Sequence, residues 1–471
     1  MSLSSSLFSG ISGLSTLGNA MQIIGDNIAN VNTVGFKSSR VTFQDVLSQT
    51  VATTSGSAQV GRGSSLADIS STFSQGSFES TDSATDLAIG GEGFFVVRDP
   101  NNANNEYYTR AGEFRFDKDG NFVNPAGYIV RGWALDPTTG QDYGSMTDIT
   151  MSSFTSSPSE TQKLTAITNL DSDATPKTPL GLETAWDGSQ STPIQSTSYE
   201  YQTTVKAYDS LGSTHDVTVY YDAAGNGQWN YIVTCNPDED VRTGAKDASN
   251  NLTAGAGLLA KGTIDFVAGS GTISGMTMDS FDPSTSAWTG VSPDTNGYLA
   301  FQPEFISGGN PMSVELNIGA RSVGSNWVPD SLSSSQFSSA STTIFQSADG
   351  YGAGDLQSVS VDTDGVITGQ YSNGQVLPLY RVALAKFQNN DGLFKVGGNL
   401  WRETRLSGDP ITGTPGSNGT GNISANSLEQ SNVDIANEFV KMITTQRGFQ
   451  ANSKIITVTD QMLADLINIK R

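Results

Sequence analysis

The sequence predicts a mainly β chain with α-helical termini. The N- and C-terminal helices are expected to pack in a coiled-coil-like domain, with discontinuous antiparallel β domains between them. Three observations carry this prediction. Charged residues are only 15% of the 471, and Gly, Ser, Thr and Asn fill the difference, as in turn-rich β proteins. Apolar residues at helical spacing are concentrated at the two ends. Between the ends, short alternating or apolar runs are bounded by Asp-Gly and Asn-Gly turns.

The N-terminal helix is read from Leu3, Leu7, Leu14, Leu17, Met21, Ile24, Ile28 and Val31, whose steps alternate between three and four once Gly10 fills one slot. At the other end Ile435, Met442, Phe449, Ile456 and Leu463 lie a heptad apart, with Phe439 and Ile467 on a companion row. Gln446, Ser453 and Asp460 interrupt that companion row, so one side of the second seam should meet solvent or a polar neighbour. Gly10, Gly13, Gly18 and Gly25 each weaken the first helix by roughly 1 kcal/mol relative to Ala. A complete seam on a weak helix points to packing supplied by partners, and so to folding coupled to assembly. The alternatives are an intramolecular core hairpin and an interfacial membrane helix. The latter is disfavoured because no cation precedes Lys37.

The first helix ends in Asn27-Ile28-Ala29-Asn30-Val31-Asn32-Thr33-Val34-Gly35-Phe36-Lys37, where Asn and Gly tolerate the left-handed backbone that stops a helix. This phrase resembles the signature shared by the axial proteins of the bacterial flagellum, the rod, hook and junction subunits. Asn27, Asn30, Asn32, Gly35 and Phe36 carry the likeness. A C-terminal counterpart is equally typical, in Glu429-Gln430-Ser431-Asn432-Val433-Asp434 and then Gln446-Arg447-Gly448-Phe449-Gln450-Ala451-Asn452. Ser431, Asn432, Gln446, Arg447, Ala451 and Asn452 are its signature residues.

After a Ser/Thr/Gly-rich connector, strand signals begin at Leu87-Ala88-Ile89 and Gly93-Phe94-Phe95-Val96-Val97. Asp119-Gly120 between aromatic residues reads as a hairpin, and so do Asp364-Gly365 and Asn373-Gly374 late in the chain. The early and late phrases suggest one β domain assembled from both halves. The insertion between them has its own alternating strands. These are Tyr201, Thr203, Val205 and Ala207; Val217, Val219 and Tyr221; Trp229, Tyr231 and Val233; and Met312, Val314, Leu316 and Ile318. They imply an antiparallel sandwich or barrel with one face buried. Tyr208-Asp209-Ser210-Leu211-Gly212 followed by His215 resembles the outer domain of hook proteins, which shorter rod subunits lack.

The expected division is an inner helical domain of residues 1–37 and 428–471, a connector of 38–70 and 400–427, a discontinuous β domain of 71–145 and 346–399, and an outer β domain of 146–345. The outer stretch leaves room for an added subdomain at about 236–300.

The formal charge of −22 opposes nucleic-acid binding, which needs clustered cations. Residues 146–345 hold 21 acidic and 7 basic side chains, read as a solvated exterior. A single cysteine, Cys235, and a single histidine, His215, exclude an internal disulfide and oppose a zinc site. No apolar run is long enough for a membrane span, and no charged start of a secretory leader precedes Lys37.

Catalytic motifs fail individually. Asp117-Lys118-Asp119-Gly120 and Asp362-Thr363-Asp364-Gly365 lack the remaining ligands of a calcium loop and read as turns. Gly255-Ala256-Gly257-Leu258-Leu259-Ala260-Lys261 lacks the Gly before Lys and the Ser or Thr after it that a phosphate loop requires. No catalytic, cofactor or metal residue is therefore assigned.

The resemblance implies a structural, non-enzymatic subunit of the flagellar hook, polymerising into a curved flexible tube that transmits torque from rod to filament. Its implied partners are further copies of itself, the rod and hook-filament junction proteins, the hook cap and the flagellar type III export apparatus. The implied location is the extracellular hook and basal body, reached without a cleaved signal peptide. A distal rod or junction subunit and a secreted ligand-binding surface protein are the alternatives.

Overall fold

The computed structural model describes residues 3–469 except 54–55, 138, 152–153, 179, 306–311 and 325. Two compact units divide the chain. The first comprises residues 1–154, 356–371 and 375–471, and the second comprises 155–355 and 372–374.

The first unit carries both terminal helices, α1 (Leu3–Ala29) and α2 (Ile435–Ile469), packed against each other. They run antiparallel, since Gly10 lies beside Ile456, Gly13 beside Asn452 and Gly448 beside Leu17. The stretch read as a connector is paired: strand Ser39–Asp45 runs antiparallel to Ser64–Ser71, and Gln49–Thr53 to Gly56–Val60. Its Ser/Thr-rich strands show no clean alternation of burial, which is why they carry no strand signal.

The β part of this unit interleaves early and late chain. Strand Phe94–Asp99 pairs with Asn102–Thr109 and also with Leu384–Lys386, placing Phe95 opposite Leu384. Strand Ile129–Leu135 pairs with Val376–Val382. The unbroken run Phe94-Phe95-Val96-Val97 reflects a strand covered on both faces. Phe95 and Val97 join one apolar cluster with Leu87, Phe122 and Ile423, while Phe94 and Val96 join another with Phe387 and Trp401. The hairpins at Gly120, Gly365 and Gly374 are present, each glycine at positive φ.

In the second unit, strands Tyr201–Tyr208, Thr214–Gly225, Gln228–Thr234 and Leu258–Phe266 pair antiparallel in chain order. A second sheet centres on Lys163–Asp171. Inward residues of both sheets, among them Leu164, Val219, Trp229 and Leu316, form one cluster. The stretch 236–300 supplies strands to the first sheet and residues such as Ile264 and Met276 to that same cluster. One detail differs from the antiparallel expectation. Lys163–Asp171 pairs parallel with Val314–Asn317 and with Ser335–Phe337, because the chain returns to it only after a long excursion, the connection that parallel pairing requires.

Candidate assembly interface

Where the chain leaves α1, the signature residues act as internal clamps. Asn27 is buried, its Oδ1 accepting from Ser39 N at 2.9 Å and its Nδ2 donating to Ser39 O at 2.9 Å and to Glu438 Oε2 at 3.4 Å. Asn30 closes the helix by donating to Asp26 O at 2.9 Å and accepting from Thr33 Oγ1 at 3.1 Å. Gly35 has φ 68°, and a Cβ there would stand 2.5 Å from Ala111 N, so no other residue fits. Phe36 is buried, with the Lys395 ammonium 4.4 Å from its ring centre. Asn432 accepts from Ser38 N at 2.8 Å and donates to Thr72 O at 2.7 Å.

These clamps surround a feature that the sequence reading did not assign, a buried ionic cluster. Glu429 Oε1 accepts from Lys37 Nζ at 2.6 Å and from Gly76 N at 2.9 Å, and Oε2 accepts from Arg110 Nη1 at 3.4 Å. The Lys37 and Glu429 side chains are fully buried. Burial pushes the Lys37 ammonium below its ordinary value against the opposing pull of Glu429, and acts on Arg110 in the same direction. The available signal was positional: Lys37 and Glu429 each sit in a signature phrase.

Along the helices, α1 touches α2 on one side and the Ser39–Ser71 hairpin on another, where Thr16 Oγ1 lies 3.2 Å from Ser64 Oγ. Ile24 is buried, while Leu7, Leu14, Leu17, Met21, Ile28 and Val31 are half-buried. Of the four glycines, Gly10 and Gly13 face α2, and a Cβ on Gly13 would approach Asn452 Nδ2 to 2.8 Å. Gly18 and Gly25 have no such neighbour within 4 Å. The intramolecular hairpin weighed as an alternative therefore exists.

It does not use the whole heptad row of α2. The residues of α2 that meet α1 include Glu438, Gly448 and Asn452, with Ile455 and Ile456 at Gly10. Ile435, Phe439 and Phe449 stay 45%, 47% and 43% exposed, while Met442, Ile456 and Leu463 are half-buried. Met462 is also exposed, and a groove of about 460 Å³ runs along Ser6, Ala451, Ile455, Val458 and Met462. Ser431 is half-buried, its Oγ accepting from Val433 N at 3.3 Å. Asn32, Gln446, Arg447 and Ala451 are exposed. The side chains of Leu3 and Ile467 lie outside the described residues.

The motifs set aside from the sequence are local structure. Asp117 Oδ1 accepts from Asp119 N and Asn121 N, and Asp362 Oδ1 from Asp364 N and Val366 N, so both carboxylates close their own turns. His215 stacks on Phe305 at 3.9 Å, with Nδ1 2.7 Å from Glu239 Oε2 and Nε2 3.3 Å from Asp209 Oδ2. None of the described helices is long and apolar enough to cross a membrane.

Paired terminal helices, an interleaved β domain and an inserted second unit define a class, the axial components of the bacterial flagellum. Four stretches match families of that class in chain order. They are the flagella basal body rod protein at 7–37, the flagellar hook protein FlgE/F/G D1 domain at 88–166, the flagellar basal body protein FlaE D2 domain at 169–351 and the flagellar basal body rod FlgEFG protein C-terminal at 424–469. The flagellar hook protein FlgE of Borreliella burgdorferi is 34% identical, over 99% of this chain and 99% of that one. Its Salmonella typhimurium counterpart is 31% identical, over 98% of each. The solved Helicobacter pylori flagellar hook protein FlgE2 aligns at 17% identity and a TM-score of 0.46, over 75% of this chain and 100% of that one. The chain belongs to the flagellar hook protein FlgE family and is a structural subunit of the hook.

Proposed function

We propose that this subunit polymerises through its terminal helices into the curved, flexible tube that transmits torque from rod to filament. The observation that carries this reading is the division of labour on α2. Glu438, Gly448, Asn452, Ile455 and Ile456 meet α1 within the chain, while Ile435, Phe439 and Phe449 stay exposed. Burying such side chains between copies contributes on the order of 25 cal/mol per Å² of apolar surface.

In this reading residues 1–37 and 428–471 form the inner layer, and the acidic outer unit meets its neighbours through wet contacts that re-register as the tube bends. Rod and hook-filament junction proteins adjoin the tube, the hook cap covers its growing end, and the flagellar type III apparatus exports the chain to the cell exterior. No catalytic step is assigned.

The test is electron microscopy of purified Leu14→Asp and Phe449→Asp chains beside the parent. The variants should keep a folded β core and form no tubes, and normal tubes from either would refute the reading. Limited proteolysis should remove the terminal helices faster from free chains than from tubes.

A further inference from the structure

We propose that Glu429 is the positioning residue that sets the register of α1 against α2, an inference that rests on the paired helices being the assembling element. Along their length the helices meet where Ile455 and Ile456 rest on Gly10, Asn452 on Gly13 and Leu17 on Gly448, with Asn27 Nδ2 donating to Glu438 Oε2 at 3.4 Å. Three of these positions are glycines, which offer no side chain to close a hole around an incoming knob, and the Asn27–Glu438 bond is long at 3.4 Å. A slip of one turn moves a helix by about 5.4 Å, and a glycine-lined contact opposes such a slip only weakly.

The base of the hairpin is different. Glu429 holds four groups from three separated segments: Lys37 Nζ at 2.6 Å, Gly76 N at 2.9 Å, Arg110 Nη1 at 3.4 Å and, through its own carbonyl, Gly35 N at 2.7 Å. Lys37 follows the end of α1 and Glu429 precedes the start of α2, so fixing these two residues fixes where α1 ends against where α2 begins. A slipped register would strand the Lys37 and Arg110 cations in dry protein without their carboxylate, which is far more unfavourable than any loss along the glycine-lined contact. Apolar side chains of similar size could fill the same volume without that penalty. The charges therefore specify position, as a single buried polar residue specifies register in a coiled coil.

The test places spin labels on cysteines at Asn19 and Gln461, both exposed, in the full-length chain, where Cys235 is buried and stays unlabelled. The parent should give one narrow inter-label distance. The Lys37→Met/Arg110→Leu/Glu429→Leu chain should keep or raise its thermal midpoint, yet give a split or broadened distribution displaced by about 5 Å steps, and it should fail to elongate tubes. Glu429→Gln preserves shape and removes the charge. It should show the same splitting, and because it leaves two cations unpaired, Lys37→Gln/Arg110→Gln/Glu429→Gln, which removes every charge and keeps hydrogen-bonding groups, decides the matter by the same distance if the other variants do not fold. A parental distance in a folded variant overturns the proposal whatever tubes form. Failure of the parent itself to form tubes would instead defeat the functional reading and leave the distance result standing.

Discussion

In the second unit, the residues whose alternation marks the strands are the ones buried: Thr203, Val205, Val219, Trp229, Tyr231 and Val233 all point into one cluster or its rim. In α2 an equally regular row of Ile435, Met442, Phe449, Ile456 and Leu463 is left between half-buried and open; of these Ile456 reaches Gly10 of α1, and the other contacts come from off the row, at Glu438, Gly448, Asn452 and Ile455. The two regions share the same kind of sequence signal. A regular apolar row reports that a face must be dry, and says nothing about whether the same chain or a neighbour makes it so.

The largest effect should come from Trp229→Ala. A fully buried indole lost from the outer core should cost about 3–5 kcal/mol, read as a lower urea midpoint for that unit. Next comes Gly13→Val, which forces a branched side chain against Asn452. It should cost about 1–3 kcal/mol in the first unit, seen as faster proteolysis of both helices. Phe449→Asp should change the stability of the single chain by no more than about 0.5 kcal/mol while abolishing tubes. An effect on stability as large as that of Trp229→Ala would mean that the outward row is an internal core after all.

A smaller effect concerns pH. Burial lowers the Lys37 value below that of the unfolded chain, so the folded state binds fewer protons there and its stability should rise with pH in the alkaline range below the ordinary lysine value. Lys37→Met should remove that increment, measurable as the difference between parental and variant melting curves across pH 8 to 10. Smallest of all, burial raises the Cys235 thiol far above its ordinary value, so native chains should resist alkylation at mildly alkaline pH and unfolded chains should react, read as a mass shift.

Much of this fold is legible because period and turn chemistry act locally. Trp229, Tyr231 and Val233 alternate within one strand, and Asp-Gly or Asn-Gly steps make their hairpins from neighbouring residues. The helix stop after Asn27 is legible for the same reason. The ionic cluster is not: Lys37 and Glu429 are 392 positions apart, and a single pair at that separation has no periodicity to betray it. The paired strands within 39–71 are hidden by composition, since Ser, Thr and Gln in half-exposed positions produce no apolar alternation. The glycines of α1 were read as weakening a free helix. Gly10 and Gly13 also let a second helix approach, which propensity alone cannot reveal.

The chain enters and leaves the second unit at neighbouring points, with Thr155 opposite Asp355 and Ser156 opposite Gly354 in an antiparallel pair. A unit whose two connections emerge side by side can be treated as a cassette. A short turn joining residues 154 and 356, or a foreign domain with adjacent termini, could stand in its place while every strand pairing of the remaining β domain keeps its partner. Members of the family can thus vary the inserted unit without disturbing the strand pairings of the first.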